Sequence, residues 1–191
     1  FKTINDMIIE IDTHFPYKVI AVPHAEGDDV IAILAKNIQE KSIIISSDKD
    51  FSQLHKYKHI KQYSPIQKKM LTTSNPYKYL QEHIIRGDKG DGVPNILSAD
   101  DCIVKGERQK PITKKKLAVW MEQSDMANGL SVNWKRNQQL IDFEYIPENI
   151  SKGIMDSYAK KKDDNKQGQL LNYFITNRLK YLMENIEDFI R

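Results

Sequence analysis

Apolar runs alternate with acidic turns in the first third of the chain. Lys18-Val19-Ile20-Ala21-Val22-Pro23 is β-branched and stopped by proline, which predicts a strand. Glu26, Asp28 and Asp29 follow it. Val30, Ile31, Leu34, Ala35 and Ile38 then recur at helical spacing. Ile43-Ile44-Ile45 predicts a second, buried strand, and Ser46-Ser47-Asp48-Lys49-Asp50 begins where it ends. Strand, acidic turn, helix, strand, acidic turn make one βαβ unit. Such crossovers are right-handed and leave the strands parallel. Both acidic turns then fall at the carboxyl edge of one sheet, the edge at which α/β proteins bind ligands.

The pattern continues on both sides of this unit. Residues 4–15 place Met7, Ile8, Ile11 and Phe15 on one helical face, ended by Pro16. Phe51 and Leu54 predict a short helix after Asp50. Residues 60–64 and 68–73 alternate loosely and read as a hairpin with Pro65 in the turn. Pro76 opens a helix bearing Tyr79, Leu80, His83, Ile84 and Ile85, and Gly87 ends it. Gly87 to Ile96 is a loop dense in breakers, and residues 100–112 read as irregular. Helices are expected over 113–123, 133–142, 147–160 and 167–189, the last broken near Thr176. Residues 160–168 read as an exposed polar connector. The fold class is therefore α/β: part of a parallel-sheet domain over residues 1–75, then a mostly helical lobe over residues 76–191.

Composition narrows the function. One cysteine, Cys102, rules out an internal disulfide framework and reads as an ordinary thiol. No apolar stretch is long enough to span a bilayer, and no signal peptide is visible. The chain begins with Phe1 and reads as an excerpt. Net charge is only +3, but it is segregated. Acids gather at 26–29, 48–50, 88–91 and 100–101. Bases gather at Lys105, Arg108, Lys110 and Lys114-Lys115-Lys116, and again at Lys160-Lys161-Lys162. A basic surface beside an acidic pocket suits a metal-dependent enzyme acting on a polyanion. A solvated face explains Lys160 to Lys162 equally well.

Asp48 and Asp50 carry the chemistry. Like charges so close repel, and partial burial raises their pKa. A hard divalent cation such as Mg²⁺ or Mn²⁺ removes the conflict because it takes oxygen ligands. If the two strands are neighbours, about 4.8 Å apart, Glu26 and Asp28 converge on the same place. The competing reading of Asp48 and Asp50 is helix capping. Asp29 reads as a helix-start residue rather than a ligand. Turn hydrogen bonds compete with a metal role at Asp88 and Asp91. His24 lacks zinc-ligand spacing and reads as a loop histidine. Trp120 and Trp134 sit in helical patterns and read as packing residues.

Three motifs, in order and spacing, resemble those of the 5′-nuclease family, the flap endonucleases and 5′→3′ exonucleases. Ser46 to Leu54 resembles its Asp-x-Asp signature. Glu26-Gly27-Asp28-Asp29 resembles its Glu-Ala-Asp-Asp turn. Gly87 to Pro94 resembles its Gly-Asp-x-x-Asp-Asn loop, which opens a helix–turn–helix element gripping duplex DNA. The similarity covers nearly the whole chain and is strongest to bacteriophage members. It implies a PIN-like sheet domain and two Mg²⁺ ions, with Mn²⁺ as substitute. The ligands would be Glu26, Asp28, Asp48, Asp50, Asp88 and Asp91, the first four catalytic. DNA contacts would come from Gly87, Lys89, Gly90 and Gly92, and from Lys105, Arg108, Lys114, Lys115 and Lys116. Family members carry further aspartates and a helical arch on a part of the chain preceding this one. Gly92 replaces the usual Asn, and Asn95 and Leu97 replace glycines near a monovalent-cation site.

The function so implied is Mg²⁺-dependent hydrolysis of RNA–DNA hybrids and of 5′-flap or duplex DNA, in primer removal during phage replication. Its setting is the cytoplasm of the phage-infected bacterial cell, with no membrane partner. The alternative is a non-catalytic fragment that binds branched DNA and needs a separate amino-terminal piece. A single-stranded-DNA-binding protein and a sliding clamp are candidate partners. Gln167, Leu170, Tyr173 and Phe174 resemble a clamp-docking motif in spacing, and they equally fit a core face.

Overall fold

The computed structural model of the chain describes residues 2–122, 131–160 and 166–189. These divide into two compact units, residues 25–151 and residues 1–24 with 152–191.

The first unit is built on a three-stranded sheet in the order β1-β2-β3, with β1 Ser42–Ile45, β2 Ile60–Ser64 and β3 Lys69–Leu71. β1 and β2 are parallel, in register from Ser42 opposite Ile60 to Ile45 opposite Tyr63. β2 and β3 form the expected hairpin, with Tyr63 opposite Met70. The parallel crossover is a 3-10 helix, Asp50–Lys56, at the place of the expected short helix. Helix α2, Gly27–Asn37, covers one face of the sheet. Ala32 and Ala35 from α2, Ile44, Phe51, Leu54 and Ile60 make the core there. On the other face Ile43 and Ile45 are 58% and 65% exposed. The isoleucine run is thus half-buried rather than buried on both sides, because among the described residues helices cover only one face.

Helix α3, Pro76–Arg86, starts as predicted, with Asn75 Oδ1 accepting from the Lys78 N–H at 2.9 Å. It packs with α5, Ser131–Ile141, through Ile84, Val93, Ile141 and the half-buried Trp134. α4 is Lys114–Glu122 and α6 is Glu148–Ala159. Between the Gly87 loop and α4 the chain is irregular, as the breakers over 100–112 predict. Residues 100–106 form turns, closed by Glu107 N–H to Cys102 O (2.7 Å) and Gly106 N–H to Ile103 O (3.0 Å). Gly106, at φ +70°, supplies the left-handed residue this closure requires. Asn95 organises the approach to it: Oδ1 accepts from Leu97 N–H and Ser98 Oγ–H, while Nδ2 donates to Lys110 O. A buried side chain so satisfied fixes an irregular loop without a helix.

In the second unit α1, Lys2–His14, pairs with α7, Lys166–Thr176. α8, Lys180–Glu184, follows after a break at Arg178, whose φ is +56°, close to the expected break at Thr176. Phe174 and Leu170 are fully buried. Phe174 meets Phe15 and Phe189 edge-on, at 5.8 and 5.6 Å. The run Lys18 to Pro23 is not a strand, contrary to its pattern. It lies along α6: a Cβ on Gly153 would sit 3.0 Å from Val22 Cγ1, and Lys18 Nζ stands 4.4 Å over the Tyr158 ring. A β-branched run becomes a strand only when a partner strand satisfies its backbone, and none pairs with it among the described residues.

Candidate metal centre

The turn after β1 is held from below. Gln62 on β2 is fully buried, and its Nε2 donates to Ser46 O (3.0 Å) and Asp48 O (2.6 Å). Ser47 Oγ and the buried Ser64 Oγ lie 2.7 Å apart. Above this floor, Asp48 Oδ1 accepts the Asp50 N–H at 2.9 Å, so one oxygen of Asp48 does cap the 3-10 helix. Asp48 is exposed and Asp50 is half-buried. Gln53, also buried, donates to Ile141 O at 2.9 Å and ties this 3-10 helix to the end of α5.

The second acidic turn opens α2. Asp29 Oδ2 accepts the Glu26 N–H at 2.9 Å, which makes Asp29 a helix-start residue. Glu26 is exposed and Asp28 half-buried. His24 is an exposed loop residue.

The third piece is Asp88. Gly87 ends α3 at φ +68°, where a Cβ would lie 2.6 Å from the Pro94 carbonyl carbon. The loop then turns back, and Val93 N–H reaches Asp88 O at 2.6 Å. Asp88 Oδ1 accepts from Gly90 N–H (2.8 Å) and Asp91 N–H (3.4 Å). Asp88 Oδ2 accepts from Lys49 Nζ (3.0 Å) and lies 3.0 Å from His83 Nε2. His83 is buried, and its other nitrogen, Nδ1, lies 3.4 Å from Asp50 Oδ1. Asp50, His83 and Asp88 thus present ligand-type atoms within 4.8 Å of one another, the one such group of three or more among the described residues.

Glu26, Asp28, Asp48 and Asp91 stand outside that tight group, but all except Asp48 line a common cleft with it. This cleft, about 160 Å³, is lined by Glu26, Asp28, Asp50, His83, Asp88 and Asp91. Residues 139–143 and 145–147 line it as well.

Charge crowding shows in the ionisation. Burial, then Asp48, Asp50 and Glu26, push Asp28 up to about 6. Burial also raises Asp50, partly offset by His83. Burial and then Asp50 raise the pKa of the Tyr79 hydroxyl, whose ring meets His83 edge-on at 5.8 Å. Asp88 moves the other way. Burial would raise it, but hydrogen bonds from Lys49, His83 and Gly90 together hold it down to about 2. An ionised Asp88 only accepts, so His83 donates from Nε2. Excess negative charge with two orphaned buried atoms, Asp50 Oδ1 and His83 Nδ1, is the pattern a divalent cation resolves. The donor set fits one.

The basic candidates lie on the surface. Lys89, Arg108, Lys114, Lys115 and Lys116 are exposed, and Lys105 pairs with Asp101 at 2.5 Å. Gly90 and Gly92 are exposed on the loop, Gly87 half-buried beneath it. Lys161 and Lys162 fall outside the described residues. The sequence pattern does not single out His83, Lys49, Tyr79 or Gln62 for the site. His83 is hidden in an apolar helical stripe; its one signal is a histidine five residues before an aspartate of the third motif.

Residues 73–189 match the family model described as T4 RNase H, C terminal. Residues 1–84 match that of the 5′-3′ exonuclease, N-terminal resolvase-like domain. Ribonuclease H of Enterobacteria phage T4 is 33% identical over 202 residues, covering 99% of this chain and 66% of the relative. The chain therefore spans a little under two thirds of the length of that curated relative.

Proposed function

This chain belongs to the T4 RNase H family of 5′-3′ exonucleases, and from that premise we propose that it forms the metal- and DNA-binding part of a divalent-metal-dependent 5′-nuclease. Its substrates are RNA–DNA hybrids and 5′-flap or duplex DNA, and its work is primer removal in phage replication. The observation that carries this reading is the cleft where both acidic turns meet the Gly87 loop. Two Mg²⁺ ions, with Mn²⁺ as substitute, would supply the Lewis acidity and the lowered water pKa that phosphodiester hydrolysis needs. Glu26, Asp28, Asp48, Asp50, Asp88 and Asp91 would hold them, directly or through water. Lys49 keeps Asp88 ionised.

Residues 1–75 supply the carboxylate turns and residues 76–191 the DNA grip in this reading. Bare backbone at Gly87, Gly90 and Gly92 admits a phosphate closely. Lys89, Lys105, Arg108 and Lys114 to Lys116 hold the duplex by charge. Among the described residues no helix is long and apolar enough to cross a membrane, and the proposed setting is the infected bacterial cytoplasm. A single-stranded-DNA-binding protein and a sliding clamp remain proposed partners, docking elsewhere than on the buried Leu170 and Phe174.

The test is cleavage of a 5′-flap DNA and an RNA–DNA hybrid with Mg²⁺, comparing wild type with Asp48→Asn and Asp50→Asn. Loss of several orders of magnitude in rate with DNA binding retained supports the reading. Near-wild-type turnover in both variants refutes it. A second reading, a branched-DNA-binding fragment needing a separate amino-terminal piece, is favoured by one feature. Glu26 and Asp48 stay exposed and outside the tight ligand group. It predicts that the chain binds a flap but cleaves it only when that piece is added in trans.

A further inference from the structure

We propose that His83 Nδ1 and Asp50 Oδ1 together take one divalent transition-metal ion, with Asp88 orienting the imidazole from behind. The inference rests on the metal-dependent reading above. It deepens that reading by placing a nitrogen ligand among the carboxylates, and so naming the kind of ion one position prefers.

Three observations carry it. His83 is 8% exposed, and neither its Nδ1 nor Asp50 Oδ1 has a hydrogen-bond partner. With the proton of a neutral His83 on Nε2, its bare Nδ1 meets Asp50 Oδ1 at 3.4 Å as two electron-rich atoms, an approach that a cation between them relieves. The separation itself fits: two ligands about 2.1 Å from one ion, at a tetrahedral angle, stand about 3.4 Å apart. Finally, Nε2 donates to Asp88 Oδ2 at 3.0 Å. That is the carboxylate–histidine–metal arrangement, which fixes the tautomer and leaves the Nδ1 lone pair for the ion.

At this ion Asp88 takes the indirect part. Lys49 and His83 donate to one of its oxygens, Gly90 and Asp91 to the other. Four donors fill the lone-pair positions of a carboxylate. Its share in holding the metal passes through His83.

An imidazole ligand selects the ion. Mg²⁺ takes oxygen and keeps its waters, whereas the series from Mn²⁺ to Zn²⁺ accepts imidazole nitrogen. The position at Asp50 and His83 thus prefers a transition-metal ion, while the Glu26, Asp28 and Asp48 side of the cleft suits Mg²⁺.

The experiment adds MnCl₂ alone to the purified 191-residue chain and records pulsed EPR for ¹⁴N modulation from a directly bound imidazole. The expected result is modulation in the wild type that excess Mg²⁺ does not remove. It disappears in His83→Gln. In Asp88→Asn it persists at saturation, with Mn²⁺ affinity lowered roughly 10–100-fold. The wild-type spectrum decides the matter even if a variant misfolds. Mn²⁺ bound without nitrogen modulation overturns this inference and leaves the carboxylate reading standing. No Mn²⁺ binding at all overturns both. Nitrogen-bound Mn²⁺ in a chain that never cleaves a flap, even with the amino-terminal piece supplied, upholds the ligand and sinks the nuclease.

Discussion

Lys49 Nζ lies 3.0 Å from Asp88 Oδ2, joining the acidic turn after β1 to the glycine loop after α3, 39 residues further on. A cation placed between two aspartates in sequence thus neutralises a third that is remote in sequence. Lys49→Met should raise the Asp88 pKa from about 2 toward its ordinary 3.8. The sign for stability follows: a depressed carboxyl stabilises the fold above 3.8 and loses that contribution as pH falls toward 2. In the variant the acid loss begins at higher pH. At neutral pH the cost should stay under about 1 kcal/mol, since the Lys49 side chain is 66% exposed. A ¹³C titration of the Asp88 carboxyl checks the shift, and an unmoved titration would mean that Lys49 does not act on it.

Gly87 and Gly92 share a positive φ, +68° and +75°, but not their surroundings. At Gly92 a Cβ meets nothing within 4 Å, so Gly92→Ala should cost about 1–2 kcal/mol for conformation alone. At Gly87 a Cβ falls on the Pro94 carbonyl, so Gly87→Ala should cost clearly more and displace the loop carrying Asp88. Denaturant melts of both variants test the difference. Equal costs would mean that the Pro94 carbonyl gives way freely.

Much of this is legible in the sequence, for identifiable reasons. Helix α2, strand β1 and the hairpin announce themselves because each buries one patterned face, and α3 because Asn75 and Pro76 fix its start. Glu26 and Asp28 do share a cleft with Asp50, but the start of α2 places them there, not a strand ahead of it. What the pattern misses depends on neighbours distant in sequence. Val19 to Val22 has the composition of a strand but lies against Gly153, and no local signal distinguishes a partner strand from a partner helix. Gln62 and His83 sit where a helix or strand pattern wants an apolar side chain. Their roles come from Ser46 and Asp48 carbonyls and from Asp50, none of them periodic neighbours. The breakers over 100–112 read as irregular, and Asn95 and Gly106 show how that stretch is closed into turns.

Asp28 sets up a pH effect of the opposite sign from Asp88. Its carboxyl is raised by burial and by Asp48 and Asp50, from 3.8 in the unfolded chain to about 6 in the fold. Between those values the unfolded state releases its proton first, so stability falls as pH rises through the window. Asp28→Asn should therefore stabilise the metal-free chain above pH 6, by about 1 kcal/mol after solvent screening of a half-exposed group. Divalent cations should stabilise the wild type more than the variant. Melting curves from pH 4 to 8, with and without MgCl₂, test both statements; a variant no more stable at pH 8 would refute the crowding.

Lys115 and Lys116 are exposed on α4. If they hold phosphate, changing both to alanine should weaken DNA binding about equally for all sequences. The logarithmic salt slope should fall by about one for each phosphate no longer held. Fluorescence anisotropy over a salt series gives the slope, and an unchanged slope would place the duplex elsewhere.

Phe174 and Tyr173 have the spacing of a clamp-docking pair but behave as packing residues. Phe174 is fully buried between Phe15 and Phe189, with edge-on ring pairs at 5.8 and 5.6 Å. Tyr173 stacks on His14 at 4.4 Å, and its hydroxyl donates to Glu10 at 2.8 Å. A side chain cannot fill this core and an external groove at once. Phe174→Ala removes a whole ring from a closed site and should cost about 3–5 kcal/mol. Phe174→Leu keeps most of the volume and should cost less than half of that. Tyr173→Phe loses only the hydroxyl bond to an exposed partner and should cost about 1 kcal/mol at most. Thermal melts of the three variants order these effects. Were Phe174→Ala to melt like the wild type, the ring would be free for docking, and the packing of α1 against α7 would need another support.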